Sequence, residues 1–355
     1  MSVKSIRFSG EITSSGIVNF EGTNAPWAIK TALKDRYGGE KWHNNVKFAK
    51  HAIKKVGKTE DGKPIYDVCL KISQDCIRQG IFKEDQPIHN PGIVYSDTIF
   101  NKSLASSAGL LRAYFYPEKR IKRKSCFYIS DAVQNSNNVS TIDVGTMNAP
   151  KKTKEEKDDD SGLTLHYKET IAGLTTYEFE GAIDLSELQF ISISETYDRK
   201  AIDTDYIDFY ISELEKVVGG KIEKGYFIKN TATNGLPEKG ILLNSEQVKK
   251  LVKDFFERLF DFEIIRGASG RAWLSDLKVM FKENGVDNGE YQNMGNVDEV
   301  IGKIDDIHVF YDTFNEVEAI KLYEAMDIGK KKNSDVKKSK KVKKEDPVKE
   351  DAIAE

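Results

Sequence analysis

The chain has 355 residues, of which 39% are hydrophobic and 10% aromatic, and its formal charge is -3. That apolar content supports a sizeable core and excludes a wholly disordered polymer, while no apolar run approaches the roughly 18 residues of a membrane-spanning helix, so a soluble protein with no membrane partner is expected. The total hides an imbalance: residues 329–355 carry ten Lys against six Asp or Glu, which leaves a formal charge of -7 on residues 1–328.

At about 150 residues per domain the length allows two domains. The basic tail and one charged insertion reduce this to a single elaborated domain over 1–328, followed by a Lys-rich tail over 329–355. Cys69, Cys76 and Cys126 are odd in number and widely spaced. With "MSVKSIRFSG" reading as a strand and not as a secretory leader, they point to a reducing cytoplasm.

In chain order, "SIRFSGEITSSGIVNFEG" alternates apolar and polar residues and breaks at Ser14, Ser15 and Gly16, which predicts a strand, a turn and a second extended piece. Residues 26–60 show no clean period and are expected to be irregular with a short helix. "VCLKISQDCIRQGIF" starts as a strand at Val68 and turns helical near Ser73. "NKSLASSAGLLRAYFYP" reads as a small-residue helix running into a strand that Pro117 ends. Next come Lys119, Arg120, Lys122, Arg123 and Lys124, held between Tyr114, Phe115 and Tyr116 on one side and Phe127 and Tyr128 on the other. An edge strand guarded by charge would account for part of this run. Five cations in six residues of an acidic body, with aromatic groups available for stacking, point to a nucleic-acid partner.

From 131 to 160 the chain is polar and closes in the charge block "KKTKEEKDDD"; regular alternation resumes at "LTLHYKET". The segment 131–180 is therefore expected to be a long hairpin that leaves the body and returns. Two amphipathic helices follow. Ile207, Tyr210, Ile211, Leu214, Val217 and Val218 share one face, and Val248, Leu251, Val252, Phe255, Phe256 and Leu259 share another behind an Asn244/Gln247 capping box. Strands are expected at "GYFIKN", "GILLN", "FEIIRG" and "RAWLSDLKVMF". The pattern is α+β, with antiparallel strands compatible with an RNA-recognition-motif-like sheet. The tail lacks the apolar residues that would offset its ordering entropy and is expected to be disordered.

Signals of chemistry are sparse. The five histidines are scattered and none is paired with Cys at metal-ligand spacing; P-loop, nucleophile-elbow and zincin motifs are absent. No metal or cofactor is expected. His166, Tyr167 and Lys168 form a conceivable ribonuclease set, but they also read as two faces of one strand. Asp158, Asp159 and Asp160 read as a solvated loop tip or as magnesium ligands. "GASGR" reads as a hairpin turn or as a place where backbone meets phosphate, with Arg266 and Arg271 beside it.

Five segments in order, "GIVNFEG", "KISQDCIRQGIF", "SLASSAGLLRAYFYP", "LQFISISETYDRKA" and "KGILLNSEQVKKLVKDFFERL", resemble the backbone subunit of CRISPR Cascade complexes. This is the "Cas seven" family of the RAMP superfamily, and the likeness is to its compact type I-F variant. It covers roughly residues 5–312; the insertion at 151–160 and the tail have no counterpart in it.

The resemblance implies an RNA-recognition-motif-like (ferredoxin-like) palm with inserted elements and a long β-hairpin thumb. The implied protein is non-catalytic: it polymerises along the spacer of a guide RNA (crRNA) with other copies of itself, meets other Cascade subunits at the filament ends, and presents the guide to target DNA. The alternative within the superfamily is an endoribonuclease. RNA contacts are implied for Gly16 and Asn19, for Gln74 and Arg78 on one helical face, for Ser106, Ser107 and Arg112, and for Arg120, Lys122, Arg123 and Lys124. On the hairpin they are implied for Met147, as a wedge between bases, and for Lys168; in the glycine turn, for Arg266, Ser269 and Arg271.

Overall fold

A computed structural model describes residues 2–22, 46–58, 62, 64–85, 96–148, 163–194, 200–230, 235–267, 270–283 and 289–326. The short helix expected within 26–60, the acidic insertion with Asp158 to Asp160, Ser269 and the Lys-rich tail lie wholly or largely outside those residues.

Alternation in the first segment does what the pleat requires. Ser2–Gly16 is one long strand whose Ile6, Phe8 and Ile12 are buried. It lies at the centre of a sheet ordered Glu263–Ile265, Gly270–Glu283, Ser2–Gly16, Leu174–Asp184, Ala132–Gln134, Pro64–Ile72 and His51–Lys58, with Phe127–Ile129 also on Leu174–Asp184. Each neighbouring pair along this path is antiparallel.

The buried face of the sheet packs on the helix Ser245–Phe260, which starts at the expected capping box: Asn244 and Gln247 exchange side-chain and backbone bonds of 3.0 Å. Phe8 meets Phe255 at 5.6 Å and Phe256 at 6.1 Å between ring centroids. Phe8 also lies across the ladder from Gly181, where a Cβ would come within 2.1 Å of its ring, so only glycine fits there. The helix Ile207–Val218 buries Tyr210, Leu214 and Val218 as its period predicts.

The small-residue region forms two helices, Asp97–Leu104 and Ser107–Leu111, and the chain then enters a two-stranded ribbon, Tyr114–Tyr116 with Ile121–Arg123. The ribbon is tied to residues that follow Phe190–Ser192, the Lys122 amide donating to the Lys200 carbonyl at 2.9 Å and the Tyr114 hydroxyl to the Ala201 carbonyl at 2.8 Å; Phe190–Ser192 opens a third sheet, followed in order by Glu238–Leu242, Glu223–Lys229 and Tyr311–Phe314. Of the segment 131–180, the two ends belong to the central sheet. The separate hairpin is Ser140–Asn148 paired with Leu163–Ile171, extended by Val46–Ala49 in parallel and by Phe20–Gly22. Residues 46–58, expected to be irregular, are strands that join this hairpin to the body. The fold is mixed α+β. Among the described residues no helix is long and apolar enough to cross a membrane, and the three cysteines are free thiols.

Candidate nucleic-acid interface

Gly16 has φ 77°, a conformation that turns the chain off the central strand at no Cβ cost. The segment it opens, residues 16–22, is the point on which several cations converge. Arg266 Nε donates to the Val18 carbonyl at 3.2 Å. The Lys50 amide donates to the Asn19 carbonyl at 2.9 Å. Lys47 Nζ lies 4.7 Å and Lys168 Nζ 5.0 Å from the centroid of the Phe20 ring.

Lys47 and Lys168 are register partners on parallel strands. Burial, and then the charge of Lys47, hold the Lys168 ammonium below its ordinary pKa. Two like charges over one ring repel each other, and a bound anion between them relieves that repulsion. Beside them Asn19 is buried. Its Nδ2 reaches Ser73 Oγ at 3.5 Å, and its Oδ1 has no partner among the described residues.

The helix Gln74–Ile81 begins next to Asn19. Gln74 is exposed, but its backbone amide donates to Asp131 Oδ1 at 2.8 Å, while Asp131 Oδ2 accepts from Lys71 at 2.8 Å. That helix start is therefore already occupied by a carboxylate. Arg78, one turn on, donates to Ser125 at 3.0 Å and stacks 4.4 Å from the centroid of the Phe127 ring. Burial lowers the pKa of Arg78, and burial together with the nearby Arg78 charge lowers that of Arg112. These two half-buried guanidiniums form a second concentration of positive charge.

Other expected contacts are placed differently. Ser106 caps its own helix, accepting from the Gly109 amide at 3.2 Å and donating to the Ser103 carbonyl at 2.6 Å. Ala105, Ala108 and Gly109 are buried, and a Cβ on Gly109 would meet the Leu104 carbonyl at 2.4 Å. The small residues allow helix-to-helix contact, which corrects their reading as a phosphate surface; Ser107 is only partly exposed.

The basic run is also corrected in part. Arg123 is 7% exposed and donates to the carbonyls of Leu110 at 3.0 Å, Phe190 at 3.3 Å and Glu187 at 3.1 Å. Alternation in the ribbon turns it inward, and it works as a brace between the ribbon and the elements beside it. Lys119 pairs with Asp97, and Lys124 with Glu187 at 3.6 Å. Arg120 is exposed in the turn at φ 51°; Lys122 lines a cavity of about 490 Å³ together with Phe115, Glu187, Glu238 and Tyr311. Of the flanking aromatics, Phe115 and Tyr128 are exposed, whereas Tyr114 and Phe127 are buried.

On the hairpin, Met147 pairs with Thr164 and His166 with Gly145. Arg271 forms an ion pair with Glu263 and lies over the Trp273 ring at 5.7 Å. The structure thus gathers Gly16, Asn19, Lys168 and Arg266 around one segment, sets Gln74 and Arg78 on the adjoining helix, and leaves the run at 119–124 on a different element.

Sequence reasoning missed Phe20 and Lys47. The alternation of buried Val46 and Phe48 with exposed Lys47 is the signal that marks a strand there. It also missed a buried cluster. Glu169 accepts from His51 Nε2 at 3.0 Å, from the Ala49 amide at 3.0 Å and from the Ser140 hydroxyl at short range. Burial would raise the Glu169 carboxyl, but the bonds from His51, Ser140 and Ala49 outweigh it and leave the pKa below the usual carboxylate range. The serine bonds to the carboxylate and not to the imidazole, so this is no nucleophilic triad. Its work is to pin the hairpin to the strands at 46–58. Among the described residues no group of three acidic, His or Cys side chains is placed to hold a metal.

The open face of the central sheet carries Glu11 in register with both Glu178 and Asp276. Like charges opposite one another repel, and this stretch disfavours phosphate.

The chain matches the model of a family described as Type I-Fv CRISPR-associated protein Cas7fv-like over residues 2–288. No curated protein matches it. Among solved structures it is similar to a chain of "Cryo-EM structure of the Type III-B Cmr-beta bound to cognate target RNA", at 14% identity and a TM-score of 0.27 over 51% of this chain and 47% of that one. The chain thus spans about half the length of that relative. It is also similar to a chain of "CRISPR RNA-guided surveillance complex, pre-nicking", at 8% identity and a TM-score of 0.38 over 79% of this chain and 77% of that one.

Proposed function

The chain belongs to the Type I-Fv Cas7fv-like family of CRISPR-associated proteins, and on that premise we propose that it is a guide-RNA-binding backbone subunit of a CRISPR surveillance complex. It grips the sugar-phosphate chain of single-stranded RNA without reading sequence, and leaves base edges available for pairing with target DNA. The observation that carries this reading is the convergence of Lys47, Lys168 and Arg266 on residues 16–22, in a chain whose formal charge is -3. Cations concentrated on one segment of an acidic molecule are the footprint of a local polyanion.

The finer architecture follows the same reading. Ser2–Gly16, Phe127–Ile129 with Ala132–Gln134, Leu174–Asp184 and Gly270–Glu283 act as the four strands of an RNA-recognition-motif-like palm. Their spatial order, fourth, first, third, second, and the helix Ser245–Phe260 between the last two support this. The hairpin at 140–171 acts as the thumb, held at its base by Glu169, and Met147 is its wedge between bases. Copies of the chain continue the groove along the RNA, because the segment at 16–22 spans only a short length of backbone.

The test is a stoichiometric titration of the purified chain with single-stranded RNAs of increasing length and unrelated sequence, read by native mass spectrometry. Copies per RNA rise with length and not with sequence. A chain that remains a monomer without RNA under these conditions overturns the reading.

A further inference from the structure

We propose that the end of the central sheet beside the hairpin holds a nucleobase-stacking pocket, in which Trp273 is the platform and Arg271 the partner of the adjacent phosphate. The inference rests on the single-stranded RNA reading above and adds a specific contact to it: one nucleotide is drawn out of the stack and laid against the indole.

The depression there is open to solvent and has a volume of about 660 Å³. It forms where three turns meet, at Gly16, Gly173 and Gly267, with φ of 77°, 79° and 52°. A Cβ built on Gly173 meets nothing within 4 Å, so the chain there faces open space.

Ladder register puts Trp273 between Thr13 and Glu263. Apolar surface beside it is uncovered: Ile265, which lines the same depression, is 66% exposed. Exposed apolar groups around an aromatic ring mark a place where a flat apolar face is received.

Arg271 supplies the charge. Its guanidinium lies 5.7 Å from the centroid of the Trp273 ring, and its Nε is held by Glu263 while the side chain stays 63% exposed. The ion pair orients the cation beside the platform. Further along the same face, Glu11 with Asp276 and Glu178 sets a boundary that phosphate does not cross. A base on Trp273 with its phosphate toward Arg271 satisfies both constraints. Because every base has a π-face, such a contact is sequence-tolerant, as a guide-binding protein requires.

Crosslinking tests this in the intact chain. A single-stranded RNA substituted with 4-thiouridine is irradiated on the protein, and adducts are mapped by mass spectrometry. An adduct on Trp273 is expected. Trp273→Ala is expected to weaken RNA binding about tenfold with no change in salt dependence, and Trp273→Phe to recover most of it. RNA bound at wild-type strength by Trp273→Ala, with adducts confined to residues near Phe20, overturns the pocket and leaves the RNA-binding reading intact. RNA that fails to bind the wild-type chain at all overturns both. If Trp273→Ala fails to fold, the wild-type adduct map decides alone.

Discussion

Glu169 and His51, both with side chains wholly shielded from solvent, meet at 3.0 Å and tie the hairpin to the strand that begins at His51. Ser140, on the opposite strand of the hairpin, bonds to the same carboxylate. Removing the acid therefore unties three elements together. Glu169→Ala leaves a buried imidazole, a hydroxyl and the Ala49 amide without their acceptor, at a cost of about 3 kcal/mol. Hydrogen exchange is expected to rise first at 140–148 and 163–171, ahead of the central sheet. A uniform rise across the chain would show that the tie is not local.

The same group sets an acid limit. Its folded pKa lies below its unfolded one, so its contribution to stability is fully present above the unfolded value and is lost as pH falls through the folded value. Urea midpoints measured from pH 7 downward should fall less for Glu169→Gln than for wild type once pH drops below about 4.5. Parallel curves for the two proteins would remove Glu169 from the acid response.

Charge around residues 16–22 is separable from charge on the ribbon. Replacing Lys47, Lys168 and Arg266 with Ala should reduce the magnitude of the slope of log K against log salt by about 2 for single-stranded RNA, at roughly 0.7 per phosphate contact. The loss should be similar for unrelated sequences. Replacing Arg120, Lys122 and Lys124 is expected to change the slope less. The reverse ranking would return the RNA path to the ribbon.

Arg123 is expected to behave as a structural residue. Arg123→Ala strips three carbonyls of their donor and costs about 3 kcal/mol or more, seen as a lowered Tm by calorimetry. RNA affinity, corrected for the folded fraction, should stay unchanged; a changed salt slope at full folding would make the guanidinium a phosphate contact.

Gly181→Ala tests the packing of the central sheet. The added methyl group collides with the Phe8 ring under the helix Ser245–Phe260, and overpacking of this kind costs about 1–3 kcal/mol. Gly181→Ala combined with Phe8→Leu is expected to recover part of that loss, and a single variant as stable as wild type would disprove the close approach.

Cleavage separates the filament reading from the ribonuclease one. Labelled RNA incubated with the chain, with and without Mg²⁺, is expected to stay intact, and His166→Ala to change nothing. Products that vanish with His166→Ala or with substitution of Asp158 to Asp160 would establish an endoribonuclease.

Local pattern was enough for the parts whose neighbours lie nearby in the chain. The helix Ser245–Phe260 buries each apolar residue its period selects, and its capping box forms between residues three apart. The alternation of residues 6–12 likewise fixes which side of the central strand is buried, because Ile6, Phe8 and Ile12 keep a side-chain period of two. Residues 1–328 also declare their acidic balance, and with it the need to concentrate cations wherever a polyanion binds.

Which cations lie side by side was decided only by tertiary structure. Density along the chain singles out Lys119 to Lys124, yet ribbon pairing turns Arg123 inward and neighbouring carboxylates hold Lys119 and Lys124. Lys47 and Lys168 look isolated in the sequence, and a parallel pairing sets them over the same Phe20 ring. Exposure and proximity of charge depend on ladder register between distant strands, and a one-residue slip in either ladder would exchange the faces.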